Sequence, residues 1–321
     1  MKSQNILIAE ISGKRSGTSK ERPTEKMQLD FDKLIISNNS EGYETDWDIV
    51  NVPEDYKEWY CDKLKNSDNA WYAPMNRSYA IKYAKEHGYR YLVQLDDNIC
   101  YAEVTCSYDK DDIKRTYRVS NAKYPELVND MILFMRDVLE NTNAGMVGCS
   151  LSALSTPQMD LMSERYCYSF FMLDIERCPS VFHGDFEDDI EFRLKCHEMG
   201  VPVVQIPMFR YSKTGQNSMK DTSGCRAEYV KAGLKRGEHM VKLHGDIYSC
   251  RMRATTNSTN STADGGVYFK HYVKPFKTGL LVKNKDMLEQ SLREIIKKYP
   301  YAREDNCKIK EKKIKKKTRK S

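Results

Sequence analysis

The sequence lacks several features that would place it in a specialised class of protein. No apolar run approaches the roughly 20 residues that a transmembrane helix requires, and the mean hydropathy is −0.70. The ten cysteines are scattered, with no CxxC pair and no Cys/His cluster at zinc-finger spacing. No signal peptide and no solenoid-type repeat is recognisable. These absences predict a soluble protein with reduced thiols, located in the cytoplasm, or in the host cytoplasm if the source is viral.

The charge of the chain is concentrated at its end. Residues 308–321 contain nine basic residues and one acid, so this stretch carries +8 while the whole chain carries +6, which leaves −2 for the remainder. A nonperiodic lysine-rich stretch is typical of a disordered, solvated tail. The other interpretations are a tether for a polyanion such as DNA, attraction to an anionic membrane surface, or a nuclear localisation signal.

The length of 321 residues is enough to bury a large core in one α/β domain. We predict a partly flexible N-terminal segment at 1–30, a single domain at 31–300 and a Lys-rich tail at 301–321. No insertion into a membrane is predicted, and the sequence leaves the oligomeric state open.

Helix, glycine and strand follow one another in two places, which is typical of α/β proteins. Residues 75–87 have apolar and aromatic side chains at helical spacing, a glycine follows, and the apolar strand 91–95 comes next. The same order recurs as a helix at 190–199 and a strand at 201–207. The other predicted elements are strands at 6–11, 33–37 and 145–150, helices at 124–141 and 288–299, and loops at 13–26, 38–48 and 254–266.

The strand at 91–95 leads directly into two acids and an amide, Asp96, Asp97 and Asn98. At the carboxyl edge of an open α/β sheet, where such folds bind ligands, adjacent carboxylates are costly unless hydrogen-bond donors or a cation compensate them. Magnesium and manganese ions prefer oxygen ligands of this kind together with diphosphate oxygens. We therefore predict a divalent metal at these three residues, with an acidic turn as the alternative.

A second acidic stretch, GDFEDDIEF, occupies residues 184–192. Acids in the first turn of a helix ordinarily complement the helix dipole, but that role does not easily account for all five acids of this stretch, which are Asp185, Glu187, Asp188, Asp189 and Glu191. Crowded carboxylates raise one another's pKa, which suits a general base that accepts a proton near neutral pH. We predict that Asp188 or Asp189 is this base, with Glu187 as a third catalytic candidate.

Two stretches, PMNRSYAIKYAKEHGYRYLVQLDDNI and GDFEDDIEFRLKCHEMGVPVVQIPMFRY, resemble the two halves of a GT-A-fold glycosyltransferase. The closer resemblance is to the TET-associated glycosyltransferases and the base J glucosyltransferases, in which a helix, a glycine, a strand and LDDN occur in this order. The stretch VPEDYKEWY, at 52–60, occupies the expected early position, and the resemblance extends over 31–211. It implies a Rossmann-like mixed sheet flanked by helices, with a nucleotide-sugar half at about 31–100 and an acceptor half at about 101–300.

The resemblance also implies roles for particular residues. Asp96 and Asp97 would meet the metal, Mn²⁺ or Mg²⁺, and the donor's ribose or diphosphate. A strict DxD motif has an acid where this chain has Asn98, which can ligate a metal through its carbonyl oxygen.

The predicted residues for binding the nucleotide sugar, UDP-glucose by default, are Asn38, Asn39, Arg77 and Asp96. Asn38 and Asn39 would lie in the nucleotide-facing loop after the first strand. Arg77 would lie near the nucleotide and make charge-assisted hydrogen bonds to phosphate.

The function implied is a metal-dependent transfer of a sugar, by default glucose, from a nucleotide sugar to the hydroxyl of a hydroxymethylated pyrimidine in DNA. The ion would neutralise the diphosphate leaving group while a carboxylate deprotonates the attacking hydroxyl, with inversion at the anomeric carbon. A base inside a duplex would first have to be flipped out or exposed by local opening. DNA would be contacted by the acceptor site and by the basic tail.

Three alternatives remain open. The same transferase could act on a protein or a glycan. Scattered carboxylates and a basic tail also describe a two-metal phosphodiester hydrolase. Separately, the six histidines give only a weak indication of zinc, although His183, His244 or His271 could complete a metal shell. The last alternative is a noncatalytic DNA-binding protein that retains the fold.

Overall fold

The protein has an α/β fold, in which a mixed central sheet is flanked by helices. The computed structural model describes residues 5–13, 22–64, 72–110, 113–152, 160–183, 187–214, 235, 237–254, 267–274 and 278–299. These residues form a ten-stranded sheet and a separate two-stranded sheet. The α/β class predicted from the sequence is therefore confirmed.

The large sheet contains the strands β1 (Ile6–Ser12), β2 (Asp32–Ser37), β3 (Asp48–Asn51), β4 (Tyr91–Asp96), β5 (Ile99–Lys110), β6 (Ile113–Ser120), β7 (Met146–Leu151), β8 (Ser163–Glu164), β9 (Phe170–Asp174) and β10 (Val203–Lys213). The helices are α1 (Glu54–Leu64), α2 (Tyr72–Glu86), α3 (Leu127–Glu140), α4 (Asp188–Glu198), α5 (Glu238–His244) and α6 (Lys285–Lys298). A short 3₁₀ helix covers Pro23–Lys26.

The strand order is β3-β2-β1-β4-β9-β7-β10-β5-β6, and β8 pairs with β10. From β1 the chain moves outward through β2 to β3 and then returns to β4 on the other side of β1, so the order reverses between β1 and β4. Because β1, β2 and β4 are parallel, their carboxyl ends meet at one edge of the sheet. Open α/β sheets bind ligands at such a switch point.

Strands from elsewhere in the chain reach the same edge. β9 runs antiparallel to β4, with Phe170 opposite Leu95, so β9 begins where β4 ends. β10 ends there as well, with Lys213 opposite Ile99, the first residue of β5. We call this edge, where β1, β2, β4 and β10 end, the carboxyl edge.

The core has two layers because successive side chains of each strand point to opposite faces of the sheet. On β1, Ile6 and Ile8 pack on the face covered by α3 and α6, whereas Leu7 and Ala9 pack on the face covered by α1, α2 and α4. The central strand β1 falls within the predicted N-terminal segment 1–30, and its pairing with β2 and β4 makes it part of the same sheet as the later strands.

A third group of elements lies against α4. Helix α5 is followed by a hairpin of β11 (Tyr248–Ala254) and β12 (Val267–Val273). Met240 and Tyr248 pack against Ile190 and Leu194 of α4. We call α5, β11 and β12 together the α5–hairpin unit.

Several predictions can be compared directly with these elements. The helix at 75–87 is α2, the strand at 91–95 is β4 and the helix at 190–199 is α4. The other predicted strands and helices correspond to β1, β2, β7, β10, α3 and α6. The tail 301–321 and most of the predicted loops at 13–26 and 254–266 lie outside the described residues.

The eight cysteines among the described residues form no disulfide. None of the helices in the described part of the chain has the length and apolar character needed to cross a bilayer.

Candidate functional site

The Asp-Asp-Asn stretch lies at the carboxyl edge, as the apolar strand before it predicts. Asp96 is the last residue of β4, and Asp97 and Asn98 connect it to β5. Thr24 holds this connection, because its hydroxyl donates to the carbonyl of Asp96 at 2.5 Å and accepts the N–H of Ile99 at 2.9 Å. The backbone that carries the three side chains is thereby held beside the switch point of the sheet.

Asp96 is compensated by two cations of the protein itself. Its Oδ2 accepts a hydrogen bond from Lys213 Nζ at 2.6 Å, and its Oδ1 pairs with Arg77 Nη2. Burial alone would raise the pKa of Asp96, but the charges of Lys213 and Arg77 outweigh burial and hold the pKa well below its usual range. Asp96 is therefore ionised at any physiological pH.

Asp97 and Asn98 are more deeply buried, with exposures of 7% and 3%. Asp97 Oδ2 accepts a hydrogen bond from Ser12 Oγ at 2.9 Å, which ties the end of β4 to the end of β1. Asn98 Nδ2 donates to the carbonyl of Thr214 at 3.2 Å. Asn98 Oδ1 is buried and has no hydrogen-bond partner among the described residues.

This arrangement leaves two of the three predicted metal ligands, Asp97 and Asn98, as candidates for holding an ion. In the described part of the chain, no group of three or more His, Cys, Asp or Glu side chains is placed to hold a metal ion, and both oxygens of Asp96 already face fixed cations. A hard divalent ion can be held by one or two protein oxygens when substrate phosphates and water supply the other ligands. Asp97 and the unpartnered carbonyl of Asn98 fit an ion of that kind.

Arg77 joins the two acidic stretches. Its Nη2 pairs with Asp96 and its Nε lies 3.3 Å from Asp188 Oδ2. The guanidinium also stacks over the rings of Phe171 and Phe182, with centroid distances of 5.5 and 5.9 Å. Arg77 is 6% exposed, so its charge serves carboxylates inside the protein. The site is therefore one continuous network rather than two separate acidic motifs.

Asp188 and Asp189 begin α4 beside this network. Burial raises the pKa of Asp188 to about 6, although Arg77 opposes the shift. The pKa of Asp189 is raised by burial and by the charges of Asp188 and Glu187, and its Oδ1 accepts the N–H of Ile190 at 2.8 Å. Asp188 is thus mostly ionised at pH 7 but has a pKa close enough to neutral to accept a proton readily, which is the property that a general base requires.

Glu187 and Glu191, two further acids of the stretch, are held by histidines. Glu187 adopts a left-handed backbone conformation, with φ at 65°, and its Oε2 lies 3.0 Å from Nε2 of His271 on β12. A non-glycine residue in this region is strained and persists only where its surroundings hold it. The α5–hairpin unit therefore fixes the residue that immediately precedes Asp188.

Glu191 is completely buried between two histidines. Its Oε1 lies 2.9 Å from His183 Nδ1 and 3.4 Å from His244 Nε2, and Nδ1 of His244 is 2.8 Å from Glu198. Burial would raise the pKa of Glu191, but hydrogen bonds from the two histidines lower it to about 2. This carboxylate is a structural tie between α4 and the α5–hairpin unit.

Asn38 and Asn39 lie just after β2, at the carboxyl edge. Asn76 Nδ2 donates to Asn38 Oδ1 at 3.3 Å and to the carbonyl of Ser12 at 2.7 Å. Asn39 Oδ1 accepts the N–H of Glu41 at 3.0 Å, which stabilises the turn. Both residues are partly exposed and line the same switch point as Asp97.

Sequence reasoning missed Lys213, Ser12 and Ser169. Ser12 Oγ contacts Asp97, and Lys213 Nζ donates to Ser169 Oγ at 2.8 Å as well as to Asp96. Each of these residues ends or immediately precedes a strand, which is the available signal. Asp185, the remaining acid of the second stretch, lies outside the described residues.

No model of a known protein family matches the chain, and no curated protein matches it closely enough to count as a relative. The fold and the network define the class to which it belongs: an α/β protein with a buried charged site at the topological switch point of its sheet.

Proposed function

We propose that the protein is a glycosyltransferase that moves a sugar, by default glucose, from a nucleotide sugar to a hydroxyl group. The observation that supports this most is the Asp96–Arg77–Asp188 bridge. It joins the LDDN stretch, whose counterpart in the resembling families contacts the donor, to a carboxylate that can act as a base. Both lie at the position where open α/β sheets bind ligands.

Asp188 is the proposed base. Its pKa of about 6 means that most molecules carry an ionised Asp188 at pH 7, yet the group still accepts a proton readily. It would remove the proton of the acceptor hydroxyl as that oxygen attacks the anomeric carbon. Attack from the face opposite the diphosphate would invert the configuration of the sugar.

Residues at the switch point are proposed to hold the donor. Asn38 and Asn39 would face the nucleoside, and Asp97 with the carbonyl of Asn98 would hold a divalent ion. When bound, such an ion supplies positive charge to the departing diphosphate. Arg77 would not contact the donor. Its buried charge instead helps to keep Asp96 ionised and lowers the pKa of Asp188.

The proposed acceptor is a hydroxymethylated pyrimidine in DNA, on the strength of the sequence resemblance and the basic residues 308–321. Positive charge near DNA releases counterions and favours binding without reading the sequence. The target base would be flipped out before reaction. A protein or glycan acceptor is the alternative within the same reaction.

A two-metal hydrolase is less consistent with the geometry. Such enzymes need several carboxylates to hold two ions about 3.5–4 Å apart. In the described residues, Asp96 is neutralised by Arg77 and Lys213, and Glu187 and Glu191 face histidines. Few carboxylates are left for two ions, so this observation favours the transferase.

The test is a nucleoside assay by mass spectrometry. Purified protein is incubated with Mn²⁺, a panel of nucleotide sugars, and DNA that contains hydroxymethyluracil, hydroxymethylcytosine or only unmodified bases. We expect a hexose on one modified nucleoside, with transfer strongly reduced in Asp97→Ala and Asp188→Asn.

Two other results would redirect the proposal. Hydrolysis of one nucleotide sugar without transfer to DNA would keep the enzyme class and reject the acceptor. Degradation of plasmid DNA in Mg²⁺ without any nucleotide sugar would reject the transferase in favour of the hydrolase.

A further inference from the structure

Lys213 is a charged residue at the carboxyl edge, where it pairs with Asp96. The proposed function assigns it no contact with the donor. It ends β10, and its side chain is 24% exposed. Its Nζ lies 2.6 Å from Asp96 Oδ2 and 2.8 Å from Ser169 Oγ. The ammonium group is therefore anchored by two protein groups, on a side chain that is not fully buried.

The ammonium group of Lys213 has one more hydrogen-bond donor than the described residues use. A lysine ammonium has three N–H donors, and Asp96 and Ser169 accept two of them. The third donor has no partner among the described residues. A cation that is anchored by two hydrogen bonds and keeps one donor for a ligand is preorganised to bind an anion.

Arg77, the other cation that pairs with Asp96, is buried. It is 6% exposed, and its guanidinium contacts Asp96, Asp188 and, at 3.3 Å, Oε1 of Gln94. Its donors are thus directed into the protein. Of the two cations that neutralise Asp96, Lys213 has the more exposed side chain, 24% against 8%, and is therefore the better candidate to meet a phosphate oxygen.

We propose that Lys213 binds the diphosphate of the nucleotide-sugar donor and stabilises the departing nucleoside diphosphate, while Asp96 and Ser169 position its ammonium group. This inference rests on the proposed function. In the reaction, the bond between the anomeric carbon and the diphosphate oxygen breaks, and its electron pair stays on that oxygen. The acceptor oxygen forms the new bond, and its proton passes to Asp188. Lys213 keeps its own proton and supplies charge only.

The experiment compares ligands that do and do not contain the diphosphate. Binding of UDP, other nucleoside diphosphates and the matching nucleosides to the full chain is measured by calorimetry, with Mg²⁺ and with a chelator. Lys213→Met should weaken binding of the nucleoside diphosphate by about 10- to 100-fold, the value of one charge-assisted hydrogen bond. Nucleoside binding should not change, and Lys213→Arg should recover part of the affinity.

A matched control is Lys82→Met. Lys82 also pairs with a carboxylate, that of Glu86, but it lies on the exposed surface of α2. This variant should bind both ligands as the wild type does. Melting temperatures of all variants show whether each one folds.

The possible outcomes separate this inference from the proposed function. If the wild type binds a nucleoside diphosphate and Lys213→Met binds it equally well, Lys213 does not contact the diphosphate and only the inference fails. An equal loss for nucleoside and nucleoside diphosphate would make Lys213 a purely structural residue, which also overturns it. If the wild type binds no nucleoside diphosphate, the proposed function fails, and the inference fails with it.

Discussion

Replacing Arg77 with methionine removes the group that joins Asp96 to Asp188, and its consequences can be worked out from the structure. Methionine keeps a long apolar side chain that can still pack against Phe171 and Phe182. What is lost is the charge, which leaves Asp188 Oδ2 buried without any hydrogen-bond or ionic partner among the described residues.

Removing one partner of a buried ion pair typically costs about 3–5 kcal/mol of stability. Asp96 keeps Lys213 as a partner, so we expect the lower end of this range, about 3 kcal/mol at pH 7. The measurement is the free energy of unfolding from urea denaturation. The surface variant Arg293→Met, which removes an exposed pair with Glu289, should change stability by no more than about 0.5 kcal/mol.

The loss should depend on pH. Burial already raises the pKa of Asp188 to about 6, and removing Arg77 removes an influence that lowers it. When a carboxyl group has a higher pKa in the folded than in the unfolded protein, the folded protein loses stability as the pH rises. The loss begins at the unfolded pKa of the group, about 3.9, and is complete above its folded pKa. The Arg77→Met variant should therefore be closer to the wild type in stability at a pH of about 5 than at pH 7.

The double variant Arg77→Met/Asp188→Asn provides the decisive comparison. Asparagine removes the uncompensated charge, so the double variant should be more stable at pH 7 than Arg77→Met alone, with a coupling energy of about 1 kcal/mol or more. If the two substitutions were additive, or if Arg77→Met cost less than about 1 kcal/mol, the bridge would not be an energetic link.

Three further predictions concern the same region. The transfer rate of the wild type should rise as the pH passes about 6, because Asp188 must be ionised to accept a proton. If the residual activity of Asp188→Asn showed the same rise in a pH–rate profile, the base would be another residue. His244→Gln should lower the melting temperature more at a pH of about 5.5 than at about 9. The hydrogen bond to Glu191 raises the pKa of His244. The ion pair therefore stabilises the fold fully below the unfolded histidine pKa, and this stabilisation is lost as the pH rises through the folded pKa. Equal losses of melting temperature at both pH values would contradict this reasoning. Asn98→Ala should weaken Mn²⁺ binding in the presence of a nucleoside diphosphate by at least about tenfold, as measured by calorimetry, and an unchanged affinity would remove Asn98 from the set of ligands.

Local sequence patterns were sufficient for the elements that carry the site. The apolar run ending at Leu95 predicts β4, and helical spacing followed by Gly88 predicts α2. Helix α1 has no such clear pattern, because only Tyr56 and Tyr60 of its residues are buried, Trp59 is exposed, and six of its eleven residues are charged. Periodicity identifies an element only where one face is apolar.

The partners of the charged groups could not be predicted from local patterns. Arg77 and Lys213 are far apart in the chain and meet Asp96 only because α2 packs on the sheet and β10 ends at the carboxyl edge. The sequence predicts that hydrogen-bond donors or a cation compensate Asp96 and Asp97, but it does not indicate that two cations of the protein pair with Asp96. The same holds for His271 and Glu187, whose contact depends on how the α5–hairpin unit packs.

The position of β1 has a consequence for the order in which the fold can assemble. Among the described strands β1 comes first in the chain, yet both of its neighbours, β2 and β4, come later, and β4 only after α1 and α2. During synthesis this apolar strand can pair with β2 first, but its other edge stays unpaired until β4 has been made, and an unpaired edge is where strands aggregate. Parallel pairing across such long connections is intrinsically slow. Completing the centre of the sheet is therefore the step at which a slowed or truncated chain is most exposed to misassembly.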